Sequence, residues 1–280
     1  MKINLAHLAP RPAPIRLGCF ILILLVLWLP FATPMYLFIQ DANLVSILTL
    51  VVLYGEFIFL LRVWGKQVYN QSQMLRHYGL EFSRKNGVEL LRGLAIGIIG
   101  VLLLFGLQGI FGWLLWQQPQ SLELFRKVIL EGLLVSLGVG FAEELLFRGW
   151  LLNELERDYS PNVAMLASAG LFAVSHFIRP LEAILHIWPQ FPSLVLLGLM
   201  QVWGKRATGG RLGLPIGYHA GLIWGYYIIN VGNLIVYTKK VPEWVTGIDR
   251  NPLQGIMGVL FLSAIAFWVR KFSMKTLIDR

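Results

Sequence analysis

Apolar residues fill this chain in long runs, and the breaks between the runs are short, polar and charged. A run of about 20 mostly apolar residues is long enough to cross a bilayer as a helix. Eight such runs stand out, at roughly 17–39, 43–64, 90–116, 126–156, 162–178, 183–203, 213–237 and 253–270. The pattern predicts an all-α fold, a polytopic membrane helix bundle of about eight transmembrane helices. Pro30 and Pro34 predict a kink or break in the first run, and Pro189 and Pro192 a broken or re-entrant sixth. Residues 65–89 are mixed and polar, with Gln67, Asn70, Gln71, Gln73 and His77, and read as a cytoplasmic amphipathic helix or loop. Asp158-Tyr159-Ser160-Pro161 is a turn signal, with Pro161 suited to the first turn of a helix, so the fourth and fifth runs read as an antiparallel hairpin. No internal repeat or low-complexity tract divides the chain, and residues 1–280 read as a single membrane domain.

Composition agrees with this reading. The chain is 56% hydrophobic and 14% charged, whereas a soluble domain carries about 25% charged residues. The net charge of +9 would point to nucleic acid in a soluble domain, but its distribution argues against that partner. With the N-terminus inside, cytoplasmic segments hold 18 of the 24 Lys and Arg residues, from Lys2, Arg11 and Arg16 through Arg148, Arg157 and Lys205 to Lys275 and Arg280. That bias predicts both termini in the cytoplasm, and the expected setting is a bacterial inner membrane. The first apolar run is too long for a signal peptide and has no small-residue cleavage site after it. Cys19 is the one cysteine, which excludes a disulfide framework within the chain. The tryptophans, including Trp113, Trp116, Trp150, Trp188, Trp203 and Trp244, mostly fall near span ends and read as an interfacial belt.

Ionisable groups inside apolar runs are costly, and they are the candidates for function. Glu143 and Glu144 are adjacent in Val139–Trp150, with Arg148 four residues after the second. On a helix, Glu144 and Arg148 are i,i+4 neighbours that can pair, while Glu143 sits about 100° further round. His176 and His219 lie in two further runs. Glu143 is 15 residues before Asp158, and His176 is 15 after Pro161. At about 1.5 Å per residue each is about 22 Å from the hairpin tip, so the two are level. For His219 to be level as well, the hairpin must protrude by about two helical turns, which its polar end (Asn153, Glu154, Glu156, Arg157 and Asp158) allows. A partly desolvated carboxylate beside an imidazole is an acid–base pair able to activate water, and a second histidine can donate to an oxyanion.

Glu143-Glu144-x-x-x-Arg148, then Phe172-x-x-x-His176, then His219 on a third helix, resembles the CPBP intramembrane protease family. That family includes the type II CAAX prenyl endopeptidases and relatives associated with bacteriocin self-immunity. The resemblance covers about residues 125–235. It implies an intramembrane endopeptidase that hydrolyses peptide bonds near the membrane surface, with Glu143 activating water, His176 assisting, His219 stabilising the oxyanion, and Glu144 and Arg148 as a supporting pair. The implied partners are membrane lipids and a peptide or protein with a membrane-proximal segment. No cofactor is favoured, since His-Glu-x-x-His is absent; zinc, if bound, would take Glu143, His176 and His219. The family commonly has Asn or Asp four residues after the last histidine, and here that position is Ile223. Then either His219 acts alone, a Tyr or Trp such as Tyr218 or Trp224 contributes, or activity is weakened or altered. Two other classes compete: a non-catalytic membrane partner or immunity protein, and a proton-coupled transporter, which the absence of repeated halves disfavours.

Overall fold

The computed structural model describes residues 5–278, and only the backbone of 272 and 274–278; Lys2 and Arg280 of the charge count lie outside the described residues. The helices in chain order are α1 (Ala13–Phe38), α2 (Ala42–Tyr69), the single turn α3 (Met74–His77), α4 (Arg84–Ile110) and α5 (Leu122–Glu144). A π-helical segment, Leu145–Leu151, joins α5 to α6 (Leu152–Glu156). Then come α7 (Pro161–Ser175), α8 (Leu181–Ile187), α9 (Phe191–Ala207), α10 (Gly213–Val231), the single turn α11 (Glu243–Thr246) and α12 (Ile256–Ile278). The bundle is all-α, as its hydrophobic pattern predicts. Among the described residues, four segments are long and apolar enough to cross a membrane by length and composition: 13–38, 42–69, 84–110 and 181–207.

Local chemistry sets several ends. Asp41 accepts from the N–H groups of Asn43 and Leu44, at 2.9 Å each, and starts α2. Ser83 and Ser121 cap α4 and α5 in the same way. Ser160 precedes Pro161 at the first position of α7, so the turn read at 158–161 is the tip of the hairpin.

Four expectations change. The first helix runs unbroken through Pro30 and Pro34. The third and seventh apolar runs end early: α4 stops at Ile110 and α10 at Val231. Their remainders form two short strands, β1 (Leu114–Trp116) and β2 (Ile235–Tyr237), paired antiparallel with Leu115 opposite Val236. Gly112 and Asn233, both at positive φ, turn the chain out of helix at these places. The sixth run is interrupted, as its prolines suggest, by a 3-10 turn at Trp188–Gln190. Residues 65–89 divide between the end of α2, the turn α3, a loop and the start of α4. Trp150 is no belt residue: it is buried, with its ring 4.4 Å from Phe20 and 6.0 Å from Phe57.

Two packing features position the site. The first is the α4–α10 seam. Gly213, Gly217 and Gly221 recur every four residues on α10, and a Cβ on Gly217 would run into the Leu90 carbonyl oxygen. Without side chains at these positions the two backbones touch, the usual close approach of small residues in membrane helices. The second fastens the hairpin. Glu154 is buried; Arg16 Nε donates to it at 2.9 Å and the Tyr69 hydroxyl at 2.6 Å. The Ala13 N–H donates to Asp158 at 2.5 Å. The polar hairpin end is therefore held by α1 and α2, and three residues of the cytoplasmic charge count, Arg16, Arg148 and Lys205, are buried.

Candidate active site

Glu143 and Glu144 close the regular part of α5, and the helix then widens into the π segment that carries Arg148. A π turn bonds i to i+5 and leaves local carbonyls to other donors, and such turns are frequent at functional sites. Here three side chains meet them. Ser168 Oγ donates to the Phe147 carbonyl at 3.1 Å, Lys205 Nζ to Arg148 at 2.6 Å and Asn153 Nδ2 to Gly149 at 2.6 Å. The helix carrying the motif is thus pinned from α7 and α9.

Arg148 and Glu144 are completely buried, with Nη1 of the guanidinium 3.2 Å from Glu144 Oε1. Nη2 donates to the Gly198 carbonyl at 3.3 Å, and the guanidinium carbon lies 4.3 Å from the centre of the Phe172 ring. Gly198 is needed there, because a Cβ would meet the backbone of Ala169 at 2.9 Å. Glu144 has a second partner that the motif spacing does not reveal: His219 Nδ1 stands 2.8 Å from Oε1. A carboxylate only accepts, so Nδ1–H is the donor, and the ring is fixed with Nε2 on its far side. Nε2 lies 3.7 Å from Glu143 Oε2. His219 therefore bridges the two glutamates.

Glu143 is different. Its side chain is 25% exposed and its Oε2 has no hydrogen-bond partner. His176 follows the last residue of α7, and its Nδ1–H donates to the Phe172 carbonyl at 2.9 Å. In the neutral ring that bond leaves Nε2 as an acceptor. Glu143, His176 and His219 line one cavity of about 330 Å³ between α4, α5, α7, α9, α10 and α12. Glu143 and His176 share its wall without a hydrogen bond between them. Among the described residues, no three His, Cys, Asp or Glu side chains are grouped to hold a metal ion. Of the three residues that zinc would take, His219 Nε2 and Glu143 Oε2 face each other at 3.7 Å, and His176 lines the same cavity.

Ile223 lines the same cavity. Neither aromatic neighbour replaces an amide there. Trp224 Nε1 donates to the Ile129 carbonyl at 2.9 Å, and Tyr218 faces a separate small cavity with Gln201. The amides that do line the site cavity are Gln190, in the 3-10 turn before α9, and Asn251, in the loop before α12. Sequence reasoning misses both, because they sit in loops distant from the motif. Lys205 is also missed, although a lysine in the last turn of an apolar run is a visible signal.

Residues 125–224 match the family model described as Rce1-like, type II CAAX prenyl endopeptidase Rce1-like. No curated protein and no solved structure matches the chain. The matched segment holds Glu143, Glu144, Arg148, His176 and His219. It bears out the resemblance to the CPBP family across 100 of the 280 residues of this multi-pass membrane chain.

Proposed function

With residues 125–224 in the Rce1-like family, we propose that this chain is an intramembrane endopeptidase that hydrolyses peptide bonds near the membrane surface. The observation that carries this reading is that Glu143, His176 and His219, from three separate helical elements, line one cavity. Glu143, the carboxylate without a hydrogen-bond partner on Oε2, takes a proton from water, and the hydroxide adds to the peptide carbonyl carbon. His176, with its Nε2 free, orients that water. His219, when doubly protonated, donates Nε2–H to the developing oxyanion while Glu144 balances the charge on the ring. The proton held by Glu143 then passes to the leaving amide nitrogen, and the C–N bond breaks. Glu144 and Arg148 hold His219 and do not react.

The glutamate-type mechanism is preferred because Glu143 keeps an unpartnered carboxylate oxygen, ready to take a proton, beside the imidazole of His219. The charge bias supports both termini in the cytoplasm. The membrane is taken to be a bacterial inner membrane, and the substrate a peptide or protein with a membrane-proximal segment. A CAAX end signals prenylation and is not expected there. The test compares purified wild-type and Glu143→Ala protein on a cleavable peptide: equal rates would falsify the proposal. A second reading, a non-catalytic membrane partner, is favoured by one observation, the apolar Ile223 in the cavity wall.

A further inference from the structure

From Glu143 and His219 the cavity extends toward one end of the bundle. α4 lines it with Gly100, Val101 and Leu104 from its C-terminal half; α9 and α12 line it from their N-terminal halves. These segments converge on the end that carries loops 111–121, 176–190 and 232–255. Contacts tie that end together: β1 pairs with β2, His186 Nε2 lies 2.5 Å from Asp249, and Asn251 Nδ2 donates to Gln190 at 3.3 Å. The other end holds residue 13, the hairpin tip and the turn at 208–212, joined through the bond of Ala13 to Asp158 and that of Leu212 to Gly79.

Resting on the endopeptidase reading, we propose that the substrate enters from the end formed by the turns 188–190 and 251–253, opposite the N-terminus, and that Gln190 and Asn251 hold its main chain. Asn251 Oδ1 accepts the Leu253 N–H at 3.0 Å, and one Nδ2–H goes to Gln190 Oε1. This orients the amide and leaves its second N–H, with the amide group of Gln190, for a ligand. Uncharged N–H donors suit a peptide carbonyl. The lining residues include no Lys or Arg, so a free C-terminal carboxylate or a phosphate meets no countercharge, and Glu143 repels it. The bond cleaved is therefore internal. The remaining wall is apolar, with Leu194, Leu197, Phe261 and Leu262. The volume is near the lower end of the roughly 300–1,000 Å³ typical of ligand sites, which fits a short extended segment.

The loop is built to keep Asn251 in place. Asp249 and Arg250 are consecutive non-glycine residues at φ 53° and 63°, a conformation that persists only where the surroundings over-determine it. His186 holds Asp249, and Gly247 N–H donates to Glu243 at 2.6 Å. Given the charge bias, this end is non-cytoplasmic. The substrate class is an uncharged, apolar peptide segment presented on the outer side of the membrane.

Two measurements test this. In the full chain carrying Cys19→Ser, which removes the one native thiol, Arg250→Cys and Ser72→Cys mark the two ends. A membrane-impermeant maleimide should label Arg250→Cys in intact cells and Ser72→Cys only after permeabilisation; the reverse overturns the outer-side presentation of the substrate. This readout needs no hydrolysis, so it fails or holds independently of the Glu143→Ala comparison. With an internally quenched apolar peptide, Asn251→Ala and Gln190→Ala should each raise KM about tenfold, the weight of one hydrogen bond, with kcat within about twofold. If neither moves KM, the anchor is wrong. Should Asn251→Ala unfold the loop by losing its bond to Leu253, Asn251→Asp keeps that acceptor, removes both N–H groups and takes its place.

Discussion

His219 Nδ1 and Arg148 Nη1 share one oxygen, Oε1 of Glu144, at 2.8 and 3.2 Å. Glu144 is thus the joint between the buried cation and the histidine that lines the cavity. Glu144→Gln keeps the shape and removes the charge. Losing the charge that holds His219 as an oxyanion donor should cost what one such donor is worth, about 10²–10³-fold. The variant should lose that much in kcat with KM little changed, and steady-state kinetics on one peptide measure both.

Removing Arg148 has another consequence. Arg148→Ala leaves Glu144 buried without its cation, which costs about 3–5 kcal/mol. A thermal melt in detergent should show a large fall in Tm. A Tm equal to the wild type would mean that Glu144 does not need the guanidinium.

Glu143 should behave as a chemical group and not as a structural one. Glu143→Gln is expected to lower kcat by about 10²–10⁴-fold while leaving the Tm near that of the wild type, since Oε2 has no hydrogen bond to lose. Exhaustive chelation with EDTA should leave the wild-type rate unchanged, and loss of activity restored by zinc would contradict the glutamate-type mechanism.

Ile223→Asn places an amide in the cavity wall on the turn after His219. If the chain is an enzyme short of one oxyanion donor, kcat should rise about tenfold or more, because such a donor is worth about 10²–10³-fold. No gain would favour the non-catalytic partner.

The α4–α10 seam makes a packing prediction. Gly217→Ala forces the Leu90 carbonyl away, and overpacking of this kind costs about 1–3 kcal/mol. Gly87→Ala, at a position of α4 with open space around it, is the control and should hold or slightly raise the Tm, because alanine is the better helix former by about 0.5–1 kcal/mol.

Much of this was legible in the sequence because apolar runs and turn residues act locally. The hairpin at 158–161 and the i,i+4 relation of Glu144 and Arg148 follow from helix geometry. The contact of His219 with Glu144 does not, because 75 residues separate them and only the α5–α10 packing brings them together. The π segment was also hidden: its donors Lys205 and Ser168 come from other helices, and nothing in Leu145–Leu151 marks a widened turn. Trp150 misled because tryptophan near a span end suits an interface, whereas here Phe20 and Phe57 reach in from α1 and α2 to cover it.

The fastening of Glu154 by Arg16 and Tyr69 limits how far the motif can be treated as a portable module. Both anchors lie outside residues 125–224, and their loss would strand a buried carboxylate near the tip of the hairpin that carries Glu143. A minimal protein cut to the matched segment would keep every motif residue yet lack the supports that set their height in the membrane. Transplanting this chemistry into another scaffold would require the first two helices to travel with it.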